Sequence, residues 1–146
     1  MQRDPRAFLW DAQQAAGAIV EFTAAIDAAG YRANPLIRSA VERQFEIIGE
    51  ALNRLSKEAP DLARRVPDLR KIVGFRNVQI HGYAVIDDGR VWEIVTTLLP
   101  PLRAAVTALL TELGPPRISA VRKLQWAWDS ARSKCCCGRA IPRIWI

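Results

Sequence analysis

The stretch NPLIRSAVERQFEIIGEALNRLS, residues 34–56, decides the fold. Ile37, Val41, Phe45, Ile48, Leu52 and Leu55 return every three or four positions, the period of a helix with one buried face. Asn34 followed by Pro35 supplies a start: a side-chain cap, then a proline where no backbone N–H is needed. Gly49 lowers helix propensity by about 1 kcal/mol relative to alanine. With Ala51 nearby, it predicts close approach of another helix, from the same subunit or from a second copy.

Working outward, Asp4-Pro5 repeats the start signal. Phe8, Leu9, Ala12, Ala16, Ile19, Phe22 and Ile26 then predict one helix that ends at Ala29-Gly30. On the other side Pro60 stops the long helix, and Asp61 can start a short one that ends before Pro67. Asp68 can cap the next helix, with Leu69, Ile72, Val73 and Val78 as its core positions. Val85-Ile86-Asp87-Asp88-Gly89 reads as a loop, and a closing helix starts near Asp87 or Asp88. It buries Val91, Ile94, Val95, Leu98 and Leu99, and Pro100-Pro101 should kink or briefly break it before Leu102 to Leu113 resume. No segment shows the alternation of a strand. The expected architecture is all-α: an up-and-down bundle of four to five helices spanning residues 1–114, with a basic extension over 115–146.

Charge divides the chain at the same place. Residues 1–114 hold 14 Lys and Arg against 14 Asp and Glu, whereas 115–146 hold seven basic residues and one acid, the whole excess of +6. A general basic surface therefore does not explain nucleic-acid binding by the body. The extension also carries three of the five tryptophans and the run Cys135-Cys136-Cys137. It reads either as an arm gripping RNA by charge and stacking or as an incidental extension. Three adjacent cysteines match neither a disulfide framework nor the spacing of a zinc site. With one histidine in the chain and no other ligand cluster, the expectation is chemistry without metal or cofactor. No apolar run approaches the ~18 to 20 residues that span a bilayer, and the first residues lack the apolar segment of a signal peptide; no membrane contact and a cytoplasmic protein are expected.

The chemistry gathers in RNVQIHGY, Arg76 to Tyr83, which holds the one histidine. His81 titrates near neutral pH, Arg76 offers a fixed cation and Tyr83 a phenol. A base and a cation meet the needs of a phosphodiester that is cut by a neighbouring hydroxyl. Five helical residues turn the chain by about 140°, so Arg76 needs its long stem to reach the side of His81, while Asn77 and His81 share a face. Gly82 should fray the helix and leave Tyr83 at its mouth. On spacing alone, a lone histidine near a helix end is more often an ordinary hydrogen-bonding residue than a base.

Arg-x4-His-x-Tyr resembles the signature of HepT-like proteins in the HEPN superfamily, the toxin halves of MNT–HepT toxin–antitoxin pairs. AVERQFEIIGEALNRLS (Ala40–Ser56), KIVGFRN (Lys71–Asn77) and VIDDGRVWEIVTTLLPPL (Val85–Leu102) match in the same order, and the resemblance covers about residues 4 to 114. Members often carry a tryptophan just before the signature helix, where this chain has Val66-Pro67-Asp68-Leu69.

The resemblance implies a metal-independent endoribonuclease. His81 would take the proton from a ribose 2′-hydroxyl and Arg76 would hold the charge that develops on phosphorus. Asn77 would orient His81, close a backbone bond or touch the substrate; Glu50 would either fix the Arg76 fork or stand as a solvated carboxylate. The resemblance also implies a two-fold homodimer and a cognate MNT nucleotidyltransferase antitoxin that transfers AMP to Tyr83, which is otherwise a half-buried aromatic. The alternative is a non-catalytic HEPN module that binds a nucleotide or only its partner.

Overall fold

The computed structural model describes residues 4–81, 87–114 and 116, and for 78–81 the backbone alone. Among the described residues there are seven helices and no strand: α1 (Pro5–Thr23), α2 (Ala28–Ala33), α3 (Pro35–Glu58), α4 (Pro60–Ala63), α5 (Leu69–His81), α6 (Asp88–Thr97) and α7 (Leu99–Leu113). Five of these exceed a single turn or two, which agrees with the expected all-α bundle; α2 and α4 are the short additions. Helix α3 is the central element. It packs against both α1 and α5, and α7 packs on α1.

The start signals act as read. Asn34 Oδ1 accepts from the N–H groups of Leu36 and Ile37 at 3.1 and 3.2 Å, and Asp4 Oδ1 accepts from Arg6 N at 3.0 Å. The α3 stripe Val41, Phe45, Ile48, Leu52 and Leu55 is buried with Phe8, Leu9, Ala12, Ala16 and Ile19 of α1. Asp87 caps α6, and the predicted break in the closing helix falls at Leu98, where α6 and α7 meet at 43°. Pro100 and Pro101 then sit in the first turn of α7, where their missing N–H groups leave no bond unmade.

Three expectations need correction. The first helix ends at Thr23 rather than at Ala29-Gly30, because Asp27 Oδ1 accepts from Gly30 N at 2.8 Å and begins the separate helix α2. Phe22, expected in the core, is 39% exposed on the last turn of α1, and Ile26 only half-buries in the connection. Asp68 adopts φ 51°, and its carboxylate pairs with Lys71 Nζ at 2.7 Å while its carbonyl accepts the first bonds of α5. The short helix enables a contact not foreseen: Tyr31 of α2 is fully buried, its ring 5.5 Å from Trp92 of α6.

Among the described residues no single helix is long and apolar enough to cross a membrane; α6 and α7 reach that length only together, across their bend. Their apolar positions Val91, Leu99, Leu102 and Val106 are used in the core. The predicted loop at 85–86, the core position Val78 and the extension beyond Pro116 lie outside the described side chains.

Candidate active site

The site begins with an absence of side chain. A Cβ built on Gly49 of α3 would lie 2.4 Å from Cβ and 2.8 Å from Cγ of Arg76. Glycine is therefore the residue that lets α5 cross α3 at this depth. The close approach expected from Gly49 comes from within the subunit, and the residue that fills the gap is the signature arginine. One turn away Phe45 and Phe75 meet edge to face at 5.5 Å, so aromatic packing holds the same crossing.

With its stem fixed, the Arg76 guanidinium has few directions open. Nη2 donates to Glu50 Oε2 at 2.7 Å, and Nη1 donates to Asn77 Oδ1 at 3.1 Å. The Arg76 side chain is 22% exposed, and its Nε is buried with no hydrogen-bond partner. Glu50 also takes Arg54 Nε on its other oxygen at 2.7 Å, one helical turn along α3. An open groove of about 390 Å³ runs over this cluster, bounded by Asp11, Arg43 and Glu46 as well. Three carboxylates face three guanidinium groups there, so the groove is close to neutral. Arg54 was not singled out in the sequence, although the Glu50–Arg54 spacing of four on a helix is the signal that finds it.

The Arg54 hydrogen bond, with the charges of Arg76, Arg54 and Lys57, holds the Glu50 carboxyl below its ordinary range against the opposing effect of burial. A lowered folded pKa gives stability that is present above the unfolded carboxylate range and lost as pH falls through the folded value. Glu50 is 38% exposed, so screening limits its worth to about 1 kcal/mol or less. The melting temperature of Glu50→Gln is thus expected to lie below that of the parent at pH 7, with the gap closing towards pH 3. A gap of equal size at both pH values would mean that the charge of Glu50 has no part in it.

The two remaining signature residues are located only in part. The backbone at His81 closes the last turn of α5, about 7.5 Å along the axis from Arg76; its side chain lies outside the described residues, as does Tyr83. Asn77 is exposed, and its carboxamide oxygen is engaged by Arg76. Arg76, Asn77 and Glu50 therefore come together as one hydrogen-bonded group. No cluster of metal-ligating side chains occurs among the described residues.

Comparison with known proteins gives the chain a family. The family described as Ribonuclease HepT-like matches residues 12–109. "Putative RNase MJ1380" of Methanocaldococcus jannaschii is 38% identical over 105 residues, which cover 72% of this chain and 95% of the relative. "Putative RNase TTE0752" of Caldanaerobacter subterraneus is 30% identical over 108 residues, 74% of this chain and 96% of the relative. "Probable ribonuclease HepT" of Thermococcus cleftensis is 30% identical over 103 residues, 70% and 93% respectively. No solved structure matches the chain.

Proposed function

This chain belongs to the HepT-like ribonuclease family, and from that premise we propose that it is an endoribonuclease acting through Arg76 and His81 without a metal ion. The His81 imidazole takes the proton from a ribose 2′-hydroxyl, and the freed oxygen attacks the adjacent phosphorus. The bond from phosphorus to the 5′-oxygen breaks, that oxygen takes a proton from water and leaves as a 5′-hydroxyl, and His81 returns its proton to the solvent. The other product ends in a 2′,3′-cyclic phosphate. Arg76 stabilises the charge on the non-bridging oxygens, where a guanidinium fork fits two oxygens at once.

The observation that carries this reading is the Arg76 guanidinium, held by Glu50 and Asn77 five residues before the histidine of the same helix. A cation oriented in advance reduces the reorganisation required when charge develops, although Glu50 must yield part of its hold. The test is incubation of the purified chain with cellular RNA in excess EDTA, followed by end analysis of the fragments. Cyclic phosphate ends and 5′-hydroxyls are expected. Intact RNA across varied substrates, or cutting that starts only when a divalent metal is restored, would overturn it.

In the same reading the chain is the toxin of an MNT–HepT pair, dimeric and acting on RNA in the cytoplasm, with two signature helices around one cleft. Its nucleotidyltransferase partner silences it by moving AMP from ATP onto the Tyr83 hydroxyl, with release of pyrophosphate. Adenylate then places bulk and negative charge beside Arg76 and His81. Protein made together with that partner is expected to gain one or more adenylate units in intact mass, and Tyr83→Phe to gain none. Equal gains in the two proteins would move the modification elsewhere.

A further inference from the structure

Charge that cancels over residues 1–114 is not evenly spread around α5. The groove beside Arg76 is balanced, but a second groove of about 480 Å³ opens between the end of α3, α4 and the first turn of α5. Its floor includes Ala63, Val66 and Leu69, and its rim carries Arg64, Arg70 and Lys71 against Asp68 and the Asp61 that pairs with Arg64, one cation in excess. Arg64 is paired with Asp61 at 2.9 Å and Lys71 with Asp68 at 2.7 Å. Both cations of these pairs are more than half exposed, so each is weakly held and open to a stronger anion. Arg70 is exposed and has no ion pair among the described residues.

Helical register connects this groove to the signature. From Arg70, positions 74, 77 and 81 fall at about 40°, −20° and 20°, so Arg70, Gly74, Asn77 and the backbone of His81 follow one line along α5. Arg70 and His81 are about 16 Å apart on the axis. Between them Gly74 is exposed, and a Cβ added there would meet nothing within 4 Å, which leaves the path over the helix clear.

We propose that the groove at the start of α5 is a second nucleotide site for single-stranded RNA, distant from the bond that is cut. An unpaired base covers the apolar floor, and Arg70 with Lys71 holds its phosphate. The strand then passes over Gly74 to Asn77 and His81. A local cation excess over an apolar floor suits a splayed single strand, whereas a duplex buries its bases and needs a broader basic face than this body offers. The site rests on the ribonuclease reading and extends it: the substrate must be unpaired and several nucleotides longer than the scissile pair.

The test uses the full chain and a 2′-O-methyl oligoribonucleotide, whose blocked 2′-oxygen prevents cleavage, with affinity measured across a salt series. Removing one phosphate contact on a single strand lowers the salt slope by about 0.7, which is about fivefold in affinity at 0.1 M salt. Arg70→Ala is expected to show both changes, and Arg70→Lys to restore the slope. The reference is Arg103→Ala, which removes an exposed charge from α7 instead. Equal slopes for Arg70→Ala and Arg103→Ala would overturn the second site, as would a parent protein that binds no oligonucleotide. Cleavage of unmodified RNA in EDTA reports separately on the ribonuclease, so the two failures are told apart.

Discussion

Replacing His81 by alanine is expected to slow RNA cleavage by on the order of 10²- to 10⁴-fold, the usual worth of a positioned general base. The alternatives within reach are poor. A guanidinium and a carboxamide have no lone pair that accepts a proton near neutral pH, and an ordinary phenol titrates near 10. Glu50 is the one carboxylate in the hydrogen-bonded group, and Arg54 and Arg76 make it a weaker base than a free glutamate. Single-turnover rates on one RNA, at saturating protein, separate this loss from weaker binding. An unchanged rate in His81→Ala would remove the proposed chemistry, whatever the affinity.

Gly49→Val is expected to have the second largest effect, although residue 49 need not touch RNA. The first added carbon already meets Arg76 Cβ at 2.4 Å, and that atom is fixed to the α5 backbone, so a side-chain rotation gives no relief. Overpacking of this kind costs about 1–3 kcal/mol. Alanine recovers about 1 kcal/mol of that through helix propensity, whereas valine adds two methyl groups and a stiff χ1. The valine variant should therefore lie at the upper end, about 3 kcal/mol, which lowers the melting temperature by about 10 °C. Moving α5 also moves the guanidinium, and a displacement of about 1 Å can lower a rate 10²-fold. Cleavage well below the new melting temperature should fall accordingly. Gly17→Ala is the comparison, since a Cβ there meets nothing within 4 Å. Full activity in Gly49→Val at a temperature where it is folded would separate the helix crossing from the site.

Much of this arrangement was legible because it is local. Asn34-Pro35, Asp4-Pro5 and Asp87 announce helix starts through the chemistry of their own side chains, and the α3 stripe announces its buried face. The boundary between α1 and α2 was missed for a related reason. Ile26 continues the apolar period, and that period masked Asp27, whose cap bond is what divides the helices. Tyr31 carries no periodic signal on a six-residue helix; its burial depends on Trp92, sixty-one positions further along. At the site, Gly49 predicted a close neighbour, but only folding selects Arg76 as that neighbour. Sequence does not decide between a paired and a solvated Glu50, because the pairing needs a contact twenty-six residues distant. A charge balance summed over residues 1–114 conceals the cation excess at the start of α5.

The carboxylate already bound to Arg76 bears on how such a site divides its affinity between reactant and activated complex. If Arg76 meets the phosphate as proposed, Glu50, already hydrogen-bonded to it, competes with that phosphate for one guanidinium. A diester brings a single negative charge and displaces the resident anion poorly, so the resting substrate gains little. The five-coordinate phosphorus species brings nearly twice that charge and wins the competition. An acidic neighbour thus reduces avidity for uncut RNA more than for the species on the way to products, and that difference is what accelerates a reaction.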